Sequence, residues 1–423
     1  MAVLPGRLTT ESASSNRLPE HIITPERMNF LDPDVTPLLT LTSSIQGRRA
    51  KAGMPNTLPD IVARWDEDDD LAHSTLINDA GIAVADAMLG VVDITVDSAD
   101  AFRYGDVLRN FRTGEIMKVV EIDAVTDIIS VIRGYTDLDV TEANSTAAAI
   151  LNDNDPLVRV GVAIPEGSGQ QPTRQRTRDR VYNYMQIWRR DTSMTDTQAT
   201  VVMKTLGNDR KFRRKQAWRE WKLMIERSIL WGERALVPDP GEGTIRQMGG
   251  IDQFIVTNRT GMGGATTELA LNTALEPMFR YGSGGKYSTR KFGIISPSCL
   301  AVLTSASTAK LQVNQKLSQQ YGVTITDWVT ANGILHLVRH PLFTGYAGGG
   351  VTYGYHASIL VLDMEFISFP YLSGNGISWD YKMRQDIQNK DTHEKVDEFV
   401  TQRTLVLQHE EAHGLIYNFT GWS

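Results

Sequence analysis

The segment RKFRRKQAWREWKLMIERSILWG, Arg210 to Gly232, constrains the fold more than any other part of the chain. Ala217, Trp218, Trp221, Met224, Ile225 and Ile229 recur at steps of three and four, which places them on one face of an α-helix. Gly207-Asn208-Asp209 interrupts whatever precedes it, and Gly232 stops it, with Pro238 and Pro240 beyond. Just upstream, Thr195-Asp196-Thr197-Gln198 has the form of a capping box and predicts a second helix through about Leu206. From about 245 the pattern becomes mixed. KFGIISPSCLAVLTS reads as a strand, a turn at Pro297 and a helix. GVTITDW, NGILHLVRH and ASILVLDMEFISF are continuous apolar runs of the kind buried on both faces of a sheet. The expected fold class is α+β.

The N-terminal third is different. Residues 1–60 are rich in Pro, Thr and Ser and lack periodicity, so they read as an arm that cannot fold alone. Steps such as Asp32-Pro33 and Thr36-Pro37 are expected to keep it extended, because the residue before proline avoids the α region. Between Val91 and Tyr135, short β-runs alternate with Gly90, Gly105, Gly114 and Gly134. With LVRVGVAI (Leu157 to Ile164) they predict a compact all-β module at about 90–165. Arg174, Arg176, Arg178 and Arg180 alternate, and Tyr182, Tyr184 and Trp188 follow in the same parity. One strand would carry them all on a single Arg-then-aromatic face. Its expected partner is a strand at about 61–80, which makes a long two-stranded ribbon with the module mounted within it. A lone ribbon is marginal in water and must rest on something else.

The chain has 423 residues and a net charge of −7, which disfavours non-specific nucleic-acid binding as a global property but permits local basic patches. Two such patches exist. One is the arginine ladder. The other is Arg210 to Lys222, whose seven basic residues and two tryptophans could grip a phosphate backbone. The tryptophans share the helix's apolar face, so a core role is the default. The acidic run Asp66, Glu67, Asp68, Asp69 and Asp70 is the electrostatic complement, within a chain or between copies. Cys299 is the single cysteine, so no internal disulfide and no thiolate metal cluster are expected. No signal-peptide h-region and no bilayer-length apolar run is present, and synthesis and folding in a cytosol are expected.

The sharpest motif is HEEAH, His409 to His413, which matches the H-E-x-x-H of zinc peptidases. Its surroundings do not fit that chemistry. Ile416 and Phe419 stand where an extended zinc motif would continue, only ten residues follow His413, and TLVLQ ahead of it is strand-like. The segment reads as a polar interruption at the surface of a terminal β segment. GSGGKYS (Gly282 to Ser288) lacks the first glycine and the hydroxyl of a phosphate loop, and GYAGGG (Gly345 to Gly350) has no helix after it. His336, His340 and His356 form no local catalytic spacing.

An arm, a ribbon, a long helix, an α/β region and a returning C-terminal strand, in this order, resemble the tailed-bacteriophage major capsid proteins, whose fold encapsulins share. The resemblance rests on RVYNYMQIW leading to TDTQATVV, on the Arg210 helix, and on FGIISPSCLAVL, TDWVTANGILHLVRHPLF and ASILVLDMEFISF. It covers about 60–420. It implies a phage major-capsid fold: an N-terminal arm (1–60), an extended loop at 61–195 with the inserted module, and a peripheral domain with a spine helix at 196–245. An axial domain at 246–384 and a return to the peripheral domain at 385–423 complete it. It also implies a non-enzymatic, cofactor-free protein of the virion, made in a host cytoplasm and not in a membrane. Such a protein would assemble with itself as hexamers and pentamers around double-stranded DNA held non-specifically on the inner face, with decoration and portal proteins as further partners. Some relatives cross-link through Lys and Asn, and no residue here matches that chemistry. Arg174 to Arg180 and Asp66 to Asp70 are the expected subunit-interface residues. Two alternatives are an encapsulin-like compartment and a zinc hydrolase using His409, Glu410 and His413.

Overall fold

The computed structural model describes residues 36–42, 56–68, 73–79, 82, 91–138, 149–167, 178–200, 209–241, 243–281, 290–306, 311–313, 324–343 and 357–422. The chain divides into two compact units, residues 66–179 and the combination of 1–65 with 180–423. Among the described residues no helix is long and apolar enough to cross a membrane.

Strand β1 (Val62–Glu67) leads into the smaller unit. There β2 (Ser74–Leu76), β3 (Val91–Thr95), β4 (Asp106–Asn110), β5 (Ile116–Asp123), β6 (Ile128–Ile132) and β7 (Pro156–Val162) form one antiparallel sheet in the order β2-β7-β4-β5-β6-β3. A bridge from Ile77 to Val96 joins the ends of the two outer strands. Asn78 N–H donates to Thr95 O at 2.9 Å and Asp97 N–H to Leu76 O at 3.0 Å. The ladder therefore closes on itself as a small barrel, which removes the exposed edges an open sheet would carry. Ile94, Leu108, Met117, Val119, Ile129, Val131 and Leu157 fill its interior. The module thus begins before residue 90. The stretch 61–80, expected as one ribbon strand, is split between β1 in the ribbon and β2 in the barrel, because the barrel needs β2 to close.

Strand β8 (Asp179–Tyr184) pairs with β1, and β9 (Gln186–Thr195) follows after buried Met185. The expected continuous Arg-then-aromatic face stops at this break. Tyr182 and Tyr184 share a face, 5.6 Å apart edge to face. Trp188 is only 2% exposed and packs in the core, 6.0 Å from Phe369. Arg174 and Arg176 lie outside the described residues.

The larger unit holds the helices α1 (residues 37–42), α2 (Asp196–Thr200), α3 (Asp209–Trp231), α4 (Ile251–Phe254), α5 (Glu268–Arg280) and α6 (Pro297–Ala306). Its strands are the hairpin β10 (Ala235–Asp239) and β11 (Gly243–Gln247), then β12 (Arg259–Thr266), β13 (Arg290–Ile295), β14 (Leu311–Val313), β15 (Ile325–Val329), β16 (Ile334–Arg339) and β17 (Ile359–Leu362). Among those that follow are β18 (Tyr371–Gly374), β19 (Lys382–Arg384), β20 (Glu394–Arg403) and β21 (Gly414–Trp422), with two-residue strands left unnumbered. A mixed seven-stranded sheet runs β12-β21-β17-β13-β16-β15-β14. α5 and α6 cover one face, where Leu271, Leu275, Met278, Cys299 and Leu303 meet Ile295, Leu335, Leu337 and Ile416. Ile294, Val338, Leu360 and Leu362 on the other face share a core with Trp221, Ile225, Ile229 and Leu230 of α3. Burial on both sides is why these strands read as unbroken apolar runs.

Helix α3 occupies nearly the residues its periodicity predicts. Trp221 stacks on Phe399 of β20, with 5.9 Å between ring centroids. The helix ends at Gly232, which meets Gly250 closely: Gly250 N–H donates to Gly232 O at 2.7 Å. A Cβ at Gly250 would lie 2.6 Å from Gly232 N and 2.8 Å from Ile229 O, so neither backbone leaves room for a side chain. At α2, Thr195 Oγ1 accepts from Gln198 N–H at 3.3 Å, the first half of a capping box. The Gln198 side chain turns instead to Asp209 Oδ2 at 3.5 Å. The rest of the helix expected to reach Leu206 lies outside the described residues.

Two further expectations are corrected. The step Thr36-Pro37 opens α1 instead of holding an extended arm, since proline is well suited to the first helical position. The segment 385–423, expected to return as one piece, divides. β20 pairs with β9 over ten residues beside the long helix, whereas β21 inserts between β12 and β17 of the seven-stranded sheet. Residues 235–247 form a hairpin that the proline-rich sequence there did not suggest.

Candidate assembly surfaces and the HEEAH segment

HEEAH is built into the fold as a staple. His409 takes a left-handed conformation, φ 52°, and only Glu410–Ala412 form a single 3-10 turn before β21. The two imidazoles therefore do not sit one α-helical turn apart. Glu410 Oε2 accepts from Val256 N–H at 2.8 Å and Thr257 N–H at 3.2 Å, and its Oε1 accepts from the Thr257 hydroxyl. Asn258 Nδ2 donates to Glu411 O at 2.7 Å and His413 O at 2.9 Å. His413 is wholly buried, a correction to the surface placement expected for the motif. Its Nδ1 accepts from Asp363 N–H at 3.2 Å, so the proton resides on Nε2, 3.3 Å from Gln408 O. Burial first, and the Lys291 ammonium second, push its pKa down to about 3, so the ring is neutral. Lys291 Nζ in turn donates to Tyr281 O and Ala412 O, both at 2.8 Å, and to Asp363 Oδ2 at 3.3 Å. Both His413 nitrogens are engaged with the protein backbone. Among the described residues no three His, Cys, Asp or Glu side chains are grouped to hold a metal ion. GSGGKYS, GYAGGG and His356 lie outside the described residues. His336 is bonded to Asp327 at 2.6 Å and His340 to Glu226 at 2.9 Å.

The basic stretch of α3 is committed largely inside the molecule. Arg210 and Arg214 both grip Asp397 of β20, at 2.6–2.9 Å and 2.7–2.9 Å. Arg210 reaches Asp386 as well, at 2.6 Å. Burial pushes the Asp397 carboxyl up, but the two guanidiniums outweigh it and hold the group at about 2. Trp221 is fully buried and Trp218 packs on Tyr381 and Phe399, with Lys222 over its ring at 5.1 Å. These rings are core, unavailable for stacking on bases.

The other charge runs fall on the ribbon. Asp66 and Glu67 lie on β1, followed by Asp68, and Arg180 lies on β8, preceded by Arg178. Each strand mixes both signs, since Arg64 precedes the acidic pair on β1 and Asp179 stands beside Arg180 on β8; Asp66, Asp68, Arg178 and Arg180 are all exposed. Asp69 and Asp70 lie outside the described residues. Asn183, next along β8, anchors the ribbon base. Its Nδ2 donates to Gly249 O and Leu405 O at 3.0 and 2.8 Å, and its Oδ1 accepts from Gly249 N–H at 2.8 Å. No local motif marks this asparagine; its partners are 66 and 222 residues away.

Among the described residues the hairpin β10–β11 pairs with no other strand. Val237 and Ile245 stand directly opposite each other on one face and Leu236 lies on the other. They are 51%, 54% and 52% exposed. An isolated two-stranded ribbon is marginal in water, and one that shows aliphatic side chains on both faces lacks its cover.

The order of elements, the long helix against β20 and the seven-stranded sheet agree with a sequence comparison that decides the family: the model of the SU10 major capsid protein matches residues 26–420. The chain belongs to the SU10 major capsid protein family. It is a phage major capsid protein. It is 22% identical over 347 residues to the major capsid protein of Pseudomonas phage PaMx41, covering 80% of this chain and 75% of that one. Among solved structures it is similar to the encapsulin complex of Synechococcus elongatus PCC 7942, with TM-score 0.40, 11% identity, and 57% of this chain and 78% of that one covered. It is also similar to the capsid of Cyanophage P-SCSP1u, with TM-score 0.37, 11% identity, and coverage of 60% and 80%.

Proposed function

We propose that this capsid protein assembles as hexamers and pentamers into an icosahedral head around double-stranded DNA, through many individually weak interfaces. The observation that carries the reading is the hairpin β10–β11, whose Leu236, Val237 and Ile245 are each more than half exposed, on strands that among the described residues pair only with each other. In a subunit of a repeating shell, the cover for such an element is a second copy of the same chain. The uncovered area of three aliphatic side chains is far below the roughly 800 Å² per partner of a stable dimer. Such a contact holds only when repeated around a closed shell.

In this reading 61–195 is the extended loop carrying the barrel, 196–245 with β20 forms the peripheral domain around its spine helix, and the region of the seven-stranded sheet is the axial domain. Arg174 to Arg180 and Asp66 to Asp70 orient neighbouring copies, since rim charges fix register and encounter more than affinity. DNA contact is non-specific and draws on basic side chains other than Arg210 and Arg214, which are committed to Asp397. The role is structural and needs no cofactor. HEEAH acts as a staple, and portal and decoration proteins are partners of the assembled head, whose place is the virion after synthesis in the host cytoplasm. The test is charge insertion in the hairpin. Val237→Lys with Ile245→Lys leaves the unassembled chain folded by circular dichroism and abolishes shells in negative-stain images. Normal shells from that variant would remove the hairpin from the interface.

A further inference from the structure

Glu226 is the one acidic side chain of α3 that is wholly buried among the helix's apolar residues, in line with Trp221, Ile225, Ile229 and Leu230. At such a position a carboxylate adds nothing to packing that a leucine would not, and a buried charge is costly unless its oxygens are satisfied. They are satisfied in a specific way. Oε1 accepts from Leu38 N–H and Oε2 from Leu39 N–H, both at 2.8 Å, and His340 Nε2 lies 2.9 Å from Oε1. His340 is also wholly buried. Its Nδ1 accepts from Leu342 N–H at 3.1 Å, which leaves the proton on Nε2, and its ring stacks on Phe343 at 4.9 Å. The α3 and 340–343 half of this arrangement is thus held without help from residues 36–42.

The segment that completes it cannot hold itself. Residues 37–42 make less than two helical turns, well under the length at which a helix is stable alone. The Thr40 and Thr42 hydroxyls turn back onto the segment's own carbonyls, of Thr36, Leu38 and Leu39. Among the described residues, the Glu226 carboxylate and the burial of Leu38, Leu39 and Leu41 in one core with Ile225 and Ile229 join the segment to the larger unit.

We propose that Glu226 and His340 form a receptor site for a peptide segment, and that its ligand is this chain's own residues 36–42, docking as a detachable latch on a core that folds without it. Two backbone amides and three leucines are the recognised chemistry. The consequence for assembly rests on the shell reading: a latched or released segment at 36–42 changes where the N-terminal arm leaves the subunit, and so which surface a neighbour meets.

Native-state hydrogen exchange on the full, unassembled chain tests the latch itself, whatever electron microscopy finds about shells. In the wild type, the Leu38 and Leu39 amides exchange through an opening that leaves Leu360 and Leu362 of β17 protected. Glu226→Leu combined with His340→Phe removes both acceptors without leaving the imidazole N–H unpaired, so the two arm amides exchange about 100-fold faster while β17 protection changes by less than about threefold. Glu226→Gln keeps one acceptor oxygen and gives about tenfold. Unchanged arm exchange in both variants overturns the proposal. So does loss of protection at β17 in step with the arm, in the variants or in the wild type, because that makes the segment part of the core's single cooperative unit.

Discussion

Gly250 and Gly232 are the residues at which the chain has least freedom. A methyl group at Gly250 would meet three backbone atoms at 2.6–2.8 Å, none of which can rotate aside. Gly250→Ala should therefore cost about 1–3 kcal/mol in chemical denaturation, the range for forced overpacking. His413 gives a pH signature. Its folded pKa is depressed to about 3 from 6.5, so below pH 6.5 the unfolded chain takes up a proton that the folded chain refuses. Stability contributed by the neutral ring is complete above pH 6.5 and declines as the pH falls below it. Between pH 6.5 and 4.5, the wild type should lose stability faster than His413→Asn by about 1 kcal/mol per pH unit. Equal slopes would mean the buried ring titrates normally. At this scale the sequence was misleading in an instructive way. The letters of HEEAH are those of a zinc site, and their misfit with the flanking residues was readable. Their role was not, because Glu410 and His413 act on Val256, Thr257 and Asp363, partners supplied only by the tertiary fold.

Among elements, α3 was the most legible, since its periodicity is local and its terminators lie beside it. Its attachment to β20 was invisible, because Asp397 is 187 and 183 residues from Arg210 and Arg214. Asp397→Asn leaves two guanidiniums without their shared carboxylate and should destabilise the larger unit by about 3 kcal/mol, measured by its urea midpoint. The same carboxylate sets an acid limit. With a folded pKa of about 2 against 3.8, its stabilisation is full above pH 3.8 and is lost as the pH falls through 2. Asp155 in the barrel, held at about 2 chiefly by its hydrogen bond from Arg112, gives the smaller unit a limit in the same window. The barrel's existence was legible from alternating runs and glycine turns. Its closure was not, since β2 contributes three residues and the Ile77–Val96 bridge is a single pair. The hairpin β10–β11 escaped notice for a related reason: Pro238, Pro240, Gly241 and Gly243 mark a turn-rich stretch, and pairing across it depends on register.

For the whole molecule, the order of elements carried the family likeness, while the division of residues 385–423 between two sheets needed coordinates. A chain that displays an uncovered hairpin and a charged ribbon, and that belongs to a major capsid protein family, is argued to complete its fold in contact with copies of itself. Electron microscopy of the purified protein across a range of salt tests this most directly. The account predicts closed shells or hexameric and pentameric capsomers; monodisperse monomers under every condition would contradict it.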